Sequence, residues 1–268
     1  MATVAFTYGS TALSTFGKVT QINDYLDIPE RRGENQVIPY RHGTVFAKKY
    51  FNERKMTFGM AVTAATATAL ETKFDTMRAK FAPLTEQVLS VTLESGAIRT
   101  VNATVDRPIE VDRKTNTLAF VVVEFTLANP IWRSSVLYTV DSDAIDGTPT
   151  PQTLTVANGG TIEERDPVLV LTGPLKNPVI TNTTPTVPVI LTYTGTIANA
   201  ATVTIQTATT GEYTATHSVS GNVIGNVTHS GSSALMVFEV ENNAVTIADD
   251  NYAGGNAKLN VNFYTPFL

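Results

Sequence analysis

Side chains able to make or break bonds are few in this sequence, and they stand far apart. The three histidines, His42, His217 and His229, sit at no metal-ligand spacing and beside no motif for nucleophilic catalysis. Each reads as a solvated side chain in a polar loop. Cysteine is absent, which removes disulfides, cysteine-based metal sites and thiol chemistry together. Two carboxylate pairs, Glu163 with Glu164 and Asp249 with Asp250, are adjacent in sequence, so on a strand their members point to opposite faces. Neither pair makes an acid and base dyad of the kind glycoside hydrolysis needs, and both read as turn or rim charges. Residues 249–254 gather oxygen-bearing side chains that suit Ca²⁺, but they depart from the EF-hand pattern and read equally well as an acidic turn. The glycine pairs Gly159–Gly160 and Gly254–Gly255 lack the strand and helix that flank a phosphate loop. The expectation is a protein that is not an enzyme, with no catalytic residue, cofactor or metal.

What remains is binding chemistry. Arg31, Arg32, Arg41, Lys48, Lys49, Arg54 and Lys55 fall close together, against Glu30, Glu34 and Glu53 in about the same span. Such a run is either a solvated face or a basic surface built to meet acidic groups on a partner. Tyr193, Tyr213 and Tyr252 are the candidates for stacking a sugar ring, although strand tyrosines are more often half buried with a bonded hydroxyl.

Composition narrows the classes of partner. The chain has 268 residues, 43% hydrophobic and 16% charged, with a net charge of −5 and a pI near 5.2. That balance opposes general nucleic-acid binding, which needs a dense basic surface. No apolar run approaches the length of a membrane span, and the first residues carry no basic n-region of a signal peptide. Charge is uneven along the chain. Residues 1–140 hold 16 of the 19 Lys and Arg and 13 of the 24 Asp and Glu, a net of +3, and the rest of the chain carries −8. Between them, 141–151 is acidic and holds two prolines, so it reads as a linker joining a domain at 1–140 to one at 152–268.

The elements that must position the basic run are mostly strands. Residues 57–62 alternate as a strand, and a helix follows to about Phe81, because Leu70, Phe74, Met77 and Phe81 recur at spacings of 4, 3 and 4 on one face. Pro83 stops it. Residues 87–93 and 97–105, with a turn at 94–96, read as a hairpin, and 107–111 with 118–127 as a further pair. The run 118–123 is apolar at every position, which predicts a strand buried on both sides, either inside a sandwich or at a subunit contact. After residue 85 the pattern is short strands punctuated by glycine, with no helix, as in an antiparallel sandwich.

In their order and spacing these features resemble the distal tail proteins of long-tailed, siphovirus-type bacteriophages. The resemblance rests on a loop at 28–35 carrying Arg31, Arg32 and Gly33, a segment at 37–43, one helix before the 87–105 hairpin, and a closing motif with Asn129, Pro130 and Trp132, the only tryptophan. Residues 153–182 look like the start of a galectin-like domain. The resemblance implies a mainly β fold: an N-terminal β-sandwich or barrel-like ring domain with one α-helix, then a C-terminal antiparallel, galectin-like β-sandwich. It also implies a structural virion protein, assembled in the host cytoplasm and placed at the tail tip. That protein forms a ring, usually of six copies, joining the tail tube protein to tip, receptor-binding or fibre proteins, with the basic run as the ring interface. Two alternatives stand beside it: a carbohydrate-binding β-sandwich module that takes a host surface glycan, and a tail tube or terminator subunit.

Overall fold

Alternation along two long strands sets the architecture of the first half. The computed structural model describes residues 4–268 apart from 24–26, 38–41, 43, 46–48, 143–144, 146–150, 209–211, 232–234 and 251–256, with backbone alone at 36–37 and 44–45. The chain divides into two units, residues 1–135 with Leu268, and residues 136–267. In the first, Arg54–Thr63 buries Met56, Phe58, Met60 and Val62, while Leu118–Leu127 buries Ala119, Val121, Val123, Phe125 and Leu127. The two strands pair antiparallel over their full length, from Leu118 opposite Thr63 to Leu127 opposite Arg54. Glu110–Arg113 flanks Leu118–Leu127, and Lys18–Asn23 flanks Arg54–Thr63, completing a four-stranded sheet.

A second sheet in this unit brings together Thr11–Ala12, Ala5–Tyr8, Gln87–Thr92, Ile98–Ala103 and the start of Trp132–Asp141. Rings from the two sheets meet between them: Phe6 lies 4.9 Å from Phe58, and Tyr8 lies 4.9 Å from Phe125, centroid to centroid. The helix Ala67–Phe81 adds Leu70, Phe74, Met77 and Phe81 to this core, as their spacing predicts. Thr66 caps it by accepting a hydrogen bond from the Ala69 amide at 3.2 Å, and Arg78 and Lys80 occupy the last turn, where cations oppose the helix dipole. The hairpin forms as Gln87–Thr92 with Ile98–Ala103.

Of the two burials expected for the run 118–123, the one inside a sandwich is not what the strand shows. Leu118–Leu127 is buried on one face only, and Phe120 and Val122 on the other are 42% and 36% exposed. Apolar side chains on both faces of the strand thus do not report burial on both faces. The boundary between the units falls inside the strand Trp132–Asp141. The segment 141–151 lies beyond that point, and most of it lies outside the described residues.

The second unit is a sandwich of two antiparallel sheets. One orders Gln152–Asn158, Glu241–Ala248, Val179–Asn182, Val189–Tyr193 and Val227–Ser230. The other contains Lys258–Phe267, Val168–Thr172, Thr202–Thr207, Tyr213–His217 and Gly221–Asn222. Leu154, Ile180, Leu191 and Ile247 from the first meet Leu169, Val203, Ile205 and Val261 from the second in one core. Residues 235–239 make a single bridge, from Phe238 to Glu164, and no regular strand. The only helical turn among the described residues of this unit is a short 3₁₀ segment, Ile224–Asn226.

Polar side chains organise the path of that segment. Asn182 donates to the Val237 carbonyl at 2.6 Å and to Asn243 Oδ1 at 3.2 Å. Asn243 Oδ1 accepts from the Glu239 amide at 2.9 Å, and its Nδ2 donates to the carbonyls of Glu239, Val156 and Glu241. Asn158 donates to the Phe238 carbonyl at 3.1 Å. All three asparagines are fully buried, so their side chains replace the ladder bonds that an irregular buried segment would otherwise lack. Glu164 corrects its expected place at a rim. It is fully buried and accepts from the Asp166 amide at 2.6 Å. His217 is also buried rather than solvated, and its Nδ1 accepts from the amides of Val219 and Ser220 at 3.1 and 3.2 Å to hold a tight turn.

Two predictions follow from these cores. Replacing Asn243 by Ala leaves several buried backbone groups without partners and should destabilise the second unit by about 2–4 kcal/mol, read as a lowered denaturation midpoint. In the first unit, burial pushes the Tyr8 phenol above its ordinary value of 10.0, and the Asp106 carboxylate adds to the shift. The folded state then holds the Tyr8 proton more tightly than the unfolded chain does, so this contribution is complete below pH 10 and declines as pH rises beyond it. Thermal unfolding between pH 8 and 11 should show wild type losing more stability than Tyr8→Phe across the alkaline limb.

Candidate assembly surface

The arginine-bearing loop folds as an arm. It links Lys18–Asn23 to Arg54–Thr63, the two neighbouring strands at one side of the four-stranded sheet. Within it Arg31–Arg32 pairs with Tyr50–Phe51, Arg31 opposite Phe51 and Arg32 opposite Tyr50, and further out Gln36–Val37 pairs with Thr44–Val45. The Asn52 amide donates to the Glu30 carbonyl at 2.7 Å and closes the base. Two-residue pairings of this kind are weak by themselves.

Arg31 and Arg32 are both exposed. The Arg31 guanidinium lies over the Phe51 ring, 5.7 Å from its centroid, a contact that orients the cation without neutralising it. Ile28 and Tyr50 are 66% and 48% exposed beside them, so the arm offers apolar surface together with positive charge. Lys49 is half-buried and Lys55 exposed. Arg54 departs from the basic surface expected of it: it is buried on the inward face of its strand, in line with Met56 and Phe58. Arg41 and Lys48 lie outside the described residues.

The closing motif serves the fold. Asn129 Oδ1 accepts from the Ile131 amide at 3.2 Å and tightens the turn that follows Leu118–Leu127, Pro130 is buried, and Trp132 is buried at the head of the next strand. Neither described tyrosine proposed for sugar stacking presents a fully open ring. Tyr193 is buried in the core of the second unit, Tyr213 is half-buried with its ring 5.7 Å from that of His229, and Tyr252 lies outside the described residues. Asp250 accepts from Asn177 Nδ2 at 2.7 Å, and residues 251–254 lie outside the described residues. Among the described residues no group of three or more His, Asp or Glu is placed to hold a metal ion. The outward face around Phe120 and Val122, marked in the sequence by an unbroken apolar run, lies open on the sheet instead of inside the sandwich.

No protein-family model matches the sequence, and no curated protein sequence matches it. Solved structures do. The crystal structure of the Dit protein of phage SPP1, described as a paradigm of the hub adsorption apparatus in phages infecting Gram-positive bacteria, aligns with 100% of this chain and 100% of its own. That alignment has a TM-score of 0.72 at 12% identity. Chains of the phage p2 baseplate in its activated conformation align over 98% of this chain with Sr (TM-score 0.44, 8% identity) and over 97% with Ca (TM-score 0.42, 9% identity). Those two scores are too low to carry an assignment, whereas the SPP1 match spans the whole chain. This chain, from the arm-bearing first unit to the second sandwich, therefore shares its fold with the SPP1 Dit protein.

Proposed function

We propose that this chain is a structural hub of a phage tail, a protein that acts by self-association and docking, without turnover of substrate. The observation that carries the reading is the full-length likeness to SPP1 Dit at a TM-score of 0.72. The likeness includes the second unit, for which a tail tube or terminator subunit gives no separate reason. The arm is the second support. Closed rings need a heterologous interface, with different surfaces on the two sides of each subunit, and an exposed basic and apolar arm at one side of a sheet supplies one of them. In this reading copies assemble in the host cytoplasm into a six-fold ring between tail tube protein and tip or receptor-binding proteins.

Negative-stain imaging with native mass spectrometry tests the ring. Six copies of 28.8 kDa give a particle of about 173 kDa. The double variant Arg31→Glu, Arg32→Glu should raise the protein concentration needed for ring formation by about tenfold or more while leaving the thermal unfolding profile close to wild type. Normal assembly of that variant would remove the arm from the interface.

A further inference from the structure

We infer that the outward face of the four-stranded sheet, centred on Phe120 and Val122 with Glu110 and Asp112 beside them, receives the arm of an adjacent copy of this chain. The inference rests on the ring reading above and names the second surface that such a ring requires.

Register fixes what this face presents. Asp112, Phe120, Ala61 and Lys18 form one row across the sheet, and Glu110, Val122, Gly59 and Gln21 form the next. Small residues on the central strand leave the flanks of Phe120 and Val122 uncovered, consistent with their exposures of 42% and 36%. Large apolar side chains set side by side on an open sheet face mark a contact surface more readily than scattered ones do. Beyond them Glu110–Arg113 is an edge strand with all four residues exposed, an arrangement that folded proteins usually cover or charge.

The charges decide what covers it. Glu110 has no ion-pair partner among the described residues. Asp112 meets Lys114 at 2.5 Å, but both side chains are at least half exposed, so the pair exchanges readily for another. Glu124, further along, is held by Arg107 at 3.2 Å, and Lys18 lies at the far edge. The uncompensated charge next to the apolar pair is thus negative. The arm carries the complement: Arg32 and Arg31 form no ion pair among the described residues, and Ile28 and Tyr50 stand exposed beside them. Geometry supports a second copy as the occupant. The arm issues from the pair of strands at one side of the sheet, and Glu110–Arg113 is the opposite edge, so donor and acceptor lie on different sides of one subunit. Repetition of that contact is head-to-tail, the kind that closes into a ring.

The test is a charge exchange in the full-length chain. Glu110→Lys with Asp112→Lys should raise the concentration for ring formation at least tenfold, with far-UV dichroism and unfolding midpoint as folding controls. Combining those changes with Arg31→Glu and Arg32→Glu should recover assembly, because the pairing is restored with its sign reversed. Phe120→Ser, an outward position whose loss spares the core, should weaken the ring without reversing any charge. Wild-type rings together with unaltered assembly of Glu110→Lys/Asp112→Lys would overturn this inference and leave the ring reading standing. Absence of rings from wild type would overturn both.

Discussion

The pairing of Arg54–Thr63 with Leu118–Leu127 is the constraint on which the rest of the first unit depends. Ten consecutive residue pairs lock the two strands in one register. A slip of one residue would carry Phe58, Met60, Val121 and Phe125 from the core to solvent, so the register is strongly specified. The same pairing decides what the opposite face shows, because alternate residues cannot choose their side. Phe120 and Val122 are outward because Val121 and Val123 are inward. It also aims the arm, which grows from the end of Arg54–Thr63 where Arg54 is buried and Lys55 is exposed.

The second unit solves a different problem. Between Val227–Ser230 and Glu241–Ala248, two strands of one sheet, residues 235–239 are largely buried and lack regular pairing. Apolar packing alone would leave their amides and carbonyls without partners. Asn158, Asn182 and Asn243 supply those partners from fully buried positions, and Glu164 adds another acceptor. A chain without cysteine thereby fixes its loops with side-chain amides. Such networks tolerate little change, since losing one member leaves the others unsatisfied in a low-dielectric interior.

Much of this was legible in the sequence where a single periodicity governs. The helix Ala67–Phe81 was readable because Leu70, Phe74, Met77 and Phe81 are the residues it buries, and Pro83 follows its end. The hairpin at 87–103 was readable because its turn glycine, Gly96, adopts a φ of +83° that few other residues accept. Whether the second apolar face of the 118–127 strand packs inside a sandwich or lies open on the subunit was not legible, since an outward valine in an uncovered face has the same spelling as an inward one. Nor was the burial of Arg54 and Glu164, whose surroundings come from residues distant in sequence. The arm could be found from its charges, while its strand pairings could not, because Arg31–Arg32 and Tyr50–Phe51 are joined only by the fold. The strand Trp132–Asp141 contains the point at which the two units meet along the chain, and the acidic, proline-bearing stretch at 141–151 follows it.

A hub differs from a tube subunit or a sugar-binding module in where it binds. The most direct measurement is electron microscopy of the purified chain mixed with preassembled tubes of the tail tube protein from the same virus. The account predicts a discrete ring of density at one end of each tube and none along its length. Incorporation throughout the tubes, or no association under conditions in which the tubes remain intact, would contradict it.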